Sequence, residues 1–135
     1  MLVRIAHPSR FVAIAAAFLV LIAGLAIRQW MGGAFAKYAG VALYGALVYT
    51  LVIVIAPRIS PLRAAGIALA FCWTIEFGQL TGIPASLAKR STLARLVLGT
   101  TFNVPDLFWY AVGIAPVAGA DKVLRVRSSG TRAPR

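Results

Sequence analysis

Acidic residues are scarce in this 135-residue chain: three, against 14 Lys+Arg, for a net charge of +11. Two of them, Glu76 and Asp106, could act as a catalytic pair, but two carboxylates with no nucleophile or metal motif beside them are a weak signal, and no catalytic motif is recognisable. A single cysteine, Cys72, excludes a disulfide or a Cys-based metal site within one chain. Set in an apolar run, Cys72 reads as a small buried hydrophobe. The one histidine, His7, has no second ligand near it and takes no role. No metal and no cofactor is therefore expected. Charged residues make up only 13% of the chain, which excludes an ordinary soluble domain.

Apolar side chains fill the space instead. Hydrophobic residues are 61% of the chain and mean hydropathy is +0.87, as in a multi-span membrane protein. At about 20 residues per span, four helices and their connections use up the length as one domain. The basic residues punctuate the apolar runs and do not form a stripe interleaved with aromatics. They read as topology signals and contacts to anionic lipid, and no nucleic-acid partner is expected. Arg outnumbers Lys 11 to 3 in an Ala- and Gly-rich chain, a composition associated with bacterial genomes rich in GC.

The spans are expected at about 11–27, 38–56, 64–81 and 104–123, forming a small all-α bundle over residues 1–123. The first run also fits a signal peptide, with Arg4 and Arg10 before it and Gly24-Leu25-Ala26 as a small-residue site; its length favours a retained span. Trp30 and Tyr38 suit an interfacial aromatic belt. Pro57 and Pro61 make a tight connection that sets the second and third spans as an antiparallel hairpin.

The connection from Gly82 to Pro105 is the longest. It mixes Leu87, Leu93, Leu96 and Val97 with Lys89, Arg90 and Arg95, and reads as an amphipathic or re-entrant segment between the third and fourth spans. Asn103 is expected as the N-cap of the last helix, with Asp106 in its first turn and a local bend at Pro116. Residues 124–135 read as a basic disordered tail. Small residues at four-residue spacing, Ala13/Ala17, Ala42/Ala46, Gly66/Ala70 and Ala111/Ala115, suggest close helix contacts.

Counting Lys and Arg by connection gives nine on the side of the termini and five on the other, which places both termini in the cytoplasm. Glu76 then lies about 13 residues, roughly 20 Å, beyond Arg63 in the outer part of the membrane. A carboxylate there costs several kcal/mol and calls for a partner. Gln79 shares its helix face, Asp106 begins the fourth span at the same end, and Arg90 and Arg95 lie in the joining connection. Glu76, Gln79, Arg90, Arg95 and Asp106 form the candidate polar site.

Three segments carry a family resemblance: Tyr38-Ala-Gly40 with Leu47-Val-Tyr49, Glu76-x-x-Gln79-Leu80, and Arg90-x-Thr92-x-x-Arg95-Leu-Val-Leu-Gly99-x-x-Phe102-x-x-x-Asp106-Leu107-x-x-Tyr110-x-x-Gly113. By these the chain resembles the domain of unknown function 2809 family of small bacterial membrane proteins. The order Glu76, Gln79, Arg, Asp106 and Gly113 is more loosely similar to the teicoplanin-resistance (VanZ-like) family. The first family's pattern has Asp after the glycine of the second span, where this chain has Val41, leaving Glu76 as its only mid-span acid. The resemblance implies a location in the bacterial inner membrane and brings no catalytic residue with it.

These readings lead to a multi-pass protein whose polar site faces outward and binds an anionic lipid or cell-envelope precursor. Four alternatives stay open. The chain could be a membrane enzyme with Glu76 as acid or base, a proton-linked transport subunit, or a structural membrane partner. In the fourth, Glu76 pairs with Arg90 or Arg95 only to pin the long connection.

Overall fold

In the computed structural model, residues 8–130 are described; Arg4, His7, Arg132 and Arg135 lie outside them. Six α-helices follow in order: α1 Arg10–Trp30, α2 Gly33–Ile55, α3 Pro61–Gly78, α4 Ile83–Ala88, α5 Thr92–Leu98 and α6 Val104–Gly130. A single 3-10 turn, Gln79–Thr81, extends α3, and no strand occurs among the described residues. Helices α1, α2, α3 with its turn, and α6 are each long and apolar enough to cross a membrane. Phe18, Leu19 and Ile22 stand exposed on α1, a surface suited to lipid tails.

The helix ends follow local chemistry. The Ser9 side chain accepts the Val12 N–H at the start of α1, and Ser60 does the same for Arg63 at the start of α3. Pro61 sits in the first turn of α3, where its missing N–H costs nothing, so that helix starts three residues before the expected 64. Helix α2 likewise begins at Gly33, which carries Lys37 into the helix. The connection between α3 and α6 is two short helices, α4 and α5, packed on each other.

The last helix departs from expectation. It runs through Pro116 to Gly130, so residues 124–130 are helical and not a disordered tail. The cause is a buried cluster centred on Arg125, which is 4% exposed. Its Nε and Nη2 donate to Asp121 at 2.7 and 3.0 Å, and its Nη1 donates to the Ile59 carbonyl at 2.8 Å. Tyr49 Oη donates to the same Asp121 carboxylate at 2.5 Å. One residue of α6 thus holds the α2–α3 connection, and the helix must persist past Arg125 to present it. Arg10 also donates to the Val54 carbonyl at 3.0 Å, so the start of α1, the end of α2 and the end of α6 share one end of the bundle.

Helix α2 is central and packs on α1, α3 and α6. Its contact with α6 leaves no room for a side chain at two glycines. A Cβ on Gly113 would run into the Ala42 backbone, and one on Gly45 would lie 2.8 Å from the Tyr110 carbonyl. Ala13 and Ala17 are buried, as is Ala46. On α3 the buried stripe is Ala64, Ala68, Cys72 and Glu76, all 0% exposed. Gly66 has open space around it, so the Gly66/Ala70 pair makes no close contact through the glycine. Small side chains on one face let the backbones approach, and dispersion contacts accumulate there.

Candidate functional site

Glu76 occupies the last turn of α3, where the partial negative charge of the helix end disfavours a carboxylate. Helix α6 runs back along α3 and brings its N-terminus to this point. Glu76 Oε1 accepts the backbone N–H of Asn103 at 2.7 Å, and Oε2 accepts the Tyr110 hydroxyl at 3.1 Å. The first bond satisfies an otherwise orphaned donor at the start of α6, and the positive end of that helix favours the charge. In the usual capping box the acid three residues into the helix takes this N–H. Here an acid from a different helix does so. Asp106 instead accepts the Asn103 side-chain amide at 2.6 Å. Asn103 therefore does not accept a helix N–H through its side chain, as an N-cap reading had it; it ties two carboxylates together.

Neither Arg90 nor Arg95 pairs with Glu76. Arg95 Nη2 donates to the Ala88 carbonyl at 3.2 Å, closing α5 onto the end of α4. Arg90 lines a separate small cleft with Thr81, Gly82 and Ser86, away from the rest of the expected set. The other two acids, Asp106 and Asp121, are on α6. Asp106 is 8% exposed and Asp121 is bound by Arg125, so all three carboxylates of the chain are turned inward.

Gln79 Nε2 donates to the Leu98 carbonyl at 2.7 Å, and Tyr44 Oη donates to the Val97 carbonyl at 2.7 Å. These bonds anchor the end of α5 over α2 and α3. Gly99 makes the first possible: its φ is +65°, and a Cβ there would lie 2.5 Å from Gln79 Nε2. Because the carbonyl of Leu98 fixes which way the amide points, Gln79 Oε1 is left buried without a hydrogen-bond partner. On the neighbouring face Trp73 Nε1 donates to the Leu107 carbonyl at 3.0 Å, and Phe77 stacks on Phe102 with centroids 5.7 Å apart. Tyr38 stacks on Trp109 at 5.4 Å, so an aromatic cluster sits at this end of the bundle.

Between α1, α2, α5 and the start of α6 lies a half-open cavity of about 680 Å³. Glu76, Gln79, Arg95 and Asp106 line it, which brings together four of the five expected site residues. Leu21, Leu25, Val41 and Leu47 contribute to an apolar wall. Arg28 and Lys37 also line it, and neither makes a hydrogen bond to the described residues; Lys37 Nζ stands 5.6 Å from the Tyr38 ring centre.

Arg28 and Lys37 entered the sequence reading only as topology charges, because no spacing rule links the end of one span to the start of the next through a cavity. Tyr110 could have been found. Asn103, Asp106 and Tyr110 are spaced three and four apart and fall on one face of α6. The arrangement offers cations for an anionic group, acceptors for a donor, and apolar surface for hydrocarbon.

The model of a family described as protein of unknown function (DUF2809) matches residues 30–114, a stretch that holds α2 to α5 and the first part of α6. No curated protein and no solved structure matches the chain.

Proposed function

The chain belongs to the DUF2809 family, whose description carries no activity, so the cavity must supply the reading, and we propose that it binds an anionic lipid or a phosphate-bearing envelope precursor. The observation that carries this is the meeting of Arg28, Lys37 and Arg95 on one cavity with an apolar wall. Guanidinium and ammonium groups bind phosphate by charge-assisted hydrogen bonds, and Arg28 and Lys37 have no hydrogen-bond acceptor among the described residues. The apolar wall suits an acyl or prenyl chain.

Placement in a bacterial inner membrane with both termini cytoplasmic belongs to the same proposal. It rests on the excess of basic residues at the end that holds Arg10, Arg58 and Arg63. The cavity then opens to the outer leaflet. Glu76 serves this site by position: both its oxygens are engaged by α6, and they hold the start of that helix against the cavity.

Lipids retained by the purified full chain, measured by mass spectrometry, test the reading. The double variant Arg28→Gln/Lys37→Gln is expected to retain several-fold less anionic lipid while eluting as a folded protein. Retention equal to the parent overturns the proposal.

A further inference from the structure

The acceptors around the cavity are not all used. Asp106 Oδ1 takes the Asn103 amide, but Oδ2 has no hydrogen bond to the described residues, and that oxygen keeps contact with open space. Asp106 lines the cavity and is more than nine-tenths buried. Gln79, which lines the same cavity, has its Oε1 buried with no partner. Burial closes Gln79 Oε1 off from a ligand, so Asp106 Oδ2 is the acceptor open to one that supplies a donor.

We infer that the ligand carries free hydroxyl groups beside its phosphate, as in a phosphoglycerol or related polyol-phosphate headgroup. This rests on the anionic-lipid reading above. Charge favours hydroxyls over an ammonium: Arg28, Lys37 and Arg95 outweigh Glu76 and Asp106 by one positive charge, which matches one phosphate monoanion with neutral donors. A phosphate on the cations and a hydroxyl on Asp106 Oδ2 would satisfy both the charges and the open acceptor. The donors then decide between ligands that have the same phosphate and the same tails.

The full chain is incubated with phosphatidylcholine vesicles containing equal amounts of phosphatidylglycerol, phosphatidic acid and phosphatidylethanolamine, and retained lipid is measured. Phosphatidylglycerol is expected to exceed phosphatidic acid at least fivefold. In Asp106→Asn the amide oxygen stays with Asn103 and an N–H₂ replaces the charged acceptor Oδ2, so a ligand hydroxyl loses its charge-assisted bond and meets only a neutral donor. That variant is expected to lose the preference and keep its phosphatidic acid. The comparison of the two anionic lipids in the parent needs no variant and covers the case in which Asp106→Asn does not fold. Displacement of the lipid by soluble glycerol phosphate supports the same chemistry with a soluble source. Phosphatidic acid retained as well as phosphatidylglycerol, or phosphatidylethanolamine retained best, overturns the hydroxyl inference. No anionic lipid retained above phosphatidylcholine overturns the anionic-lipid reading itself.

Discussion

Glu76 Oε1 accepts the backbone N–H of Asn103 across 2.7 Å, so the last turn of one membrane helix supplies the cap for the first turn of another. The bond spans 27 residues of sequence and both short helices of the connection. It makes the α3–α6 contact a matched pair of helix ends.

Two substitutions at Glu76 are expected to separate geometry from charge. Glu76→Gln keeps an acceptor for Asn103 and is expected to remain near parental stability. Glu76→Ala leaves the Asn103 N–H and the Tyr110 hydroxyl without partners and opens a void, at a cost of about 3 kcal/mol. Thermal unfolding in detergent reads the difference. Equal losses for both would show that charge, not hydrogen bonding, holds the contact.

The α2–α6 crossing has no room for a side chain at Gly113, since a Cβ would meet the Ala42 backbone. Gly113→Ala is expected to cost at least about 3 kcal/mol, because a backbone cannot step aside as a flexible side chain can. Gly66→Ala is the control. It faces open space and is expected to be neutral or to gain about 0.5–1 kcal/mol from helix propensity. The same unfolding measurement ranks the two.

At the opposite end, Arg125→Ala leaves the partly buried Asp121 charge without its ionic partner and is expected to cost about 3 kcal/mol. Tyr49→Phe removes one hydrogen bond and is expected to cost about 1 kcal/mol. The double variant is expected to lose less than the sum, because both groups act on one carboxylate.

Gly99→Ala is expected to release α5 from α3, since the left-handed backbone and the Gln79 contact both exclude a methyl group there. Hydrogen exchange should rise over residues 92–98 while the four long helices stay protected. Protection unchanged across 92–98 would contradict the anchoring role of Gln79.

Orientation can be read by labelling single cysteines in a Cys72→Ala background. Ser9→Cys and Ser128→Cys are expected to react from the same side of the membrane, and Thr100→Cys from the other. The side that labels Ser9 tests the cytoplasmic placement of the termini.

The four spans were legible because hydropathy and length are local properties. The bundle class and the convergence of Glu76, Gln79, Arg95 and Asp106 at one end follow from reading helix direction along the chain. The partner of Glu76 was not legible. A charge invites an ionic partner in any sequence, and Arg90 and Arg95 were the arginines expected at the same membrane face. A backbone N–H at a helix start is a partner with no side-chain signature. The length of α6 failed for a similar reason. Residues 124–130 are polar and basic, but the Asp121–Arg125 pair and the Ile59 carbonyl hold Arg125 inside, and the helix continues beyond it.

The sequence by itself determined that this chain has four segments long and apolar enough to cross a membrane and carries its few acids at marked positions, since both depend on composition along a line. Only the tertiary structure decided what those acids do. Antiparallel helices bring one helix's last turn beside another's first, so Glu76 meets a backbone donor. The space left between α1 and α5 is a cavity whose cations come from residues that no spacing had joined.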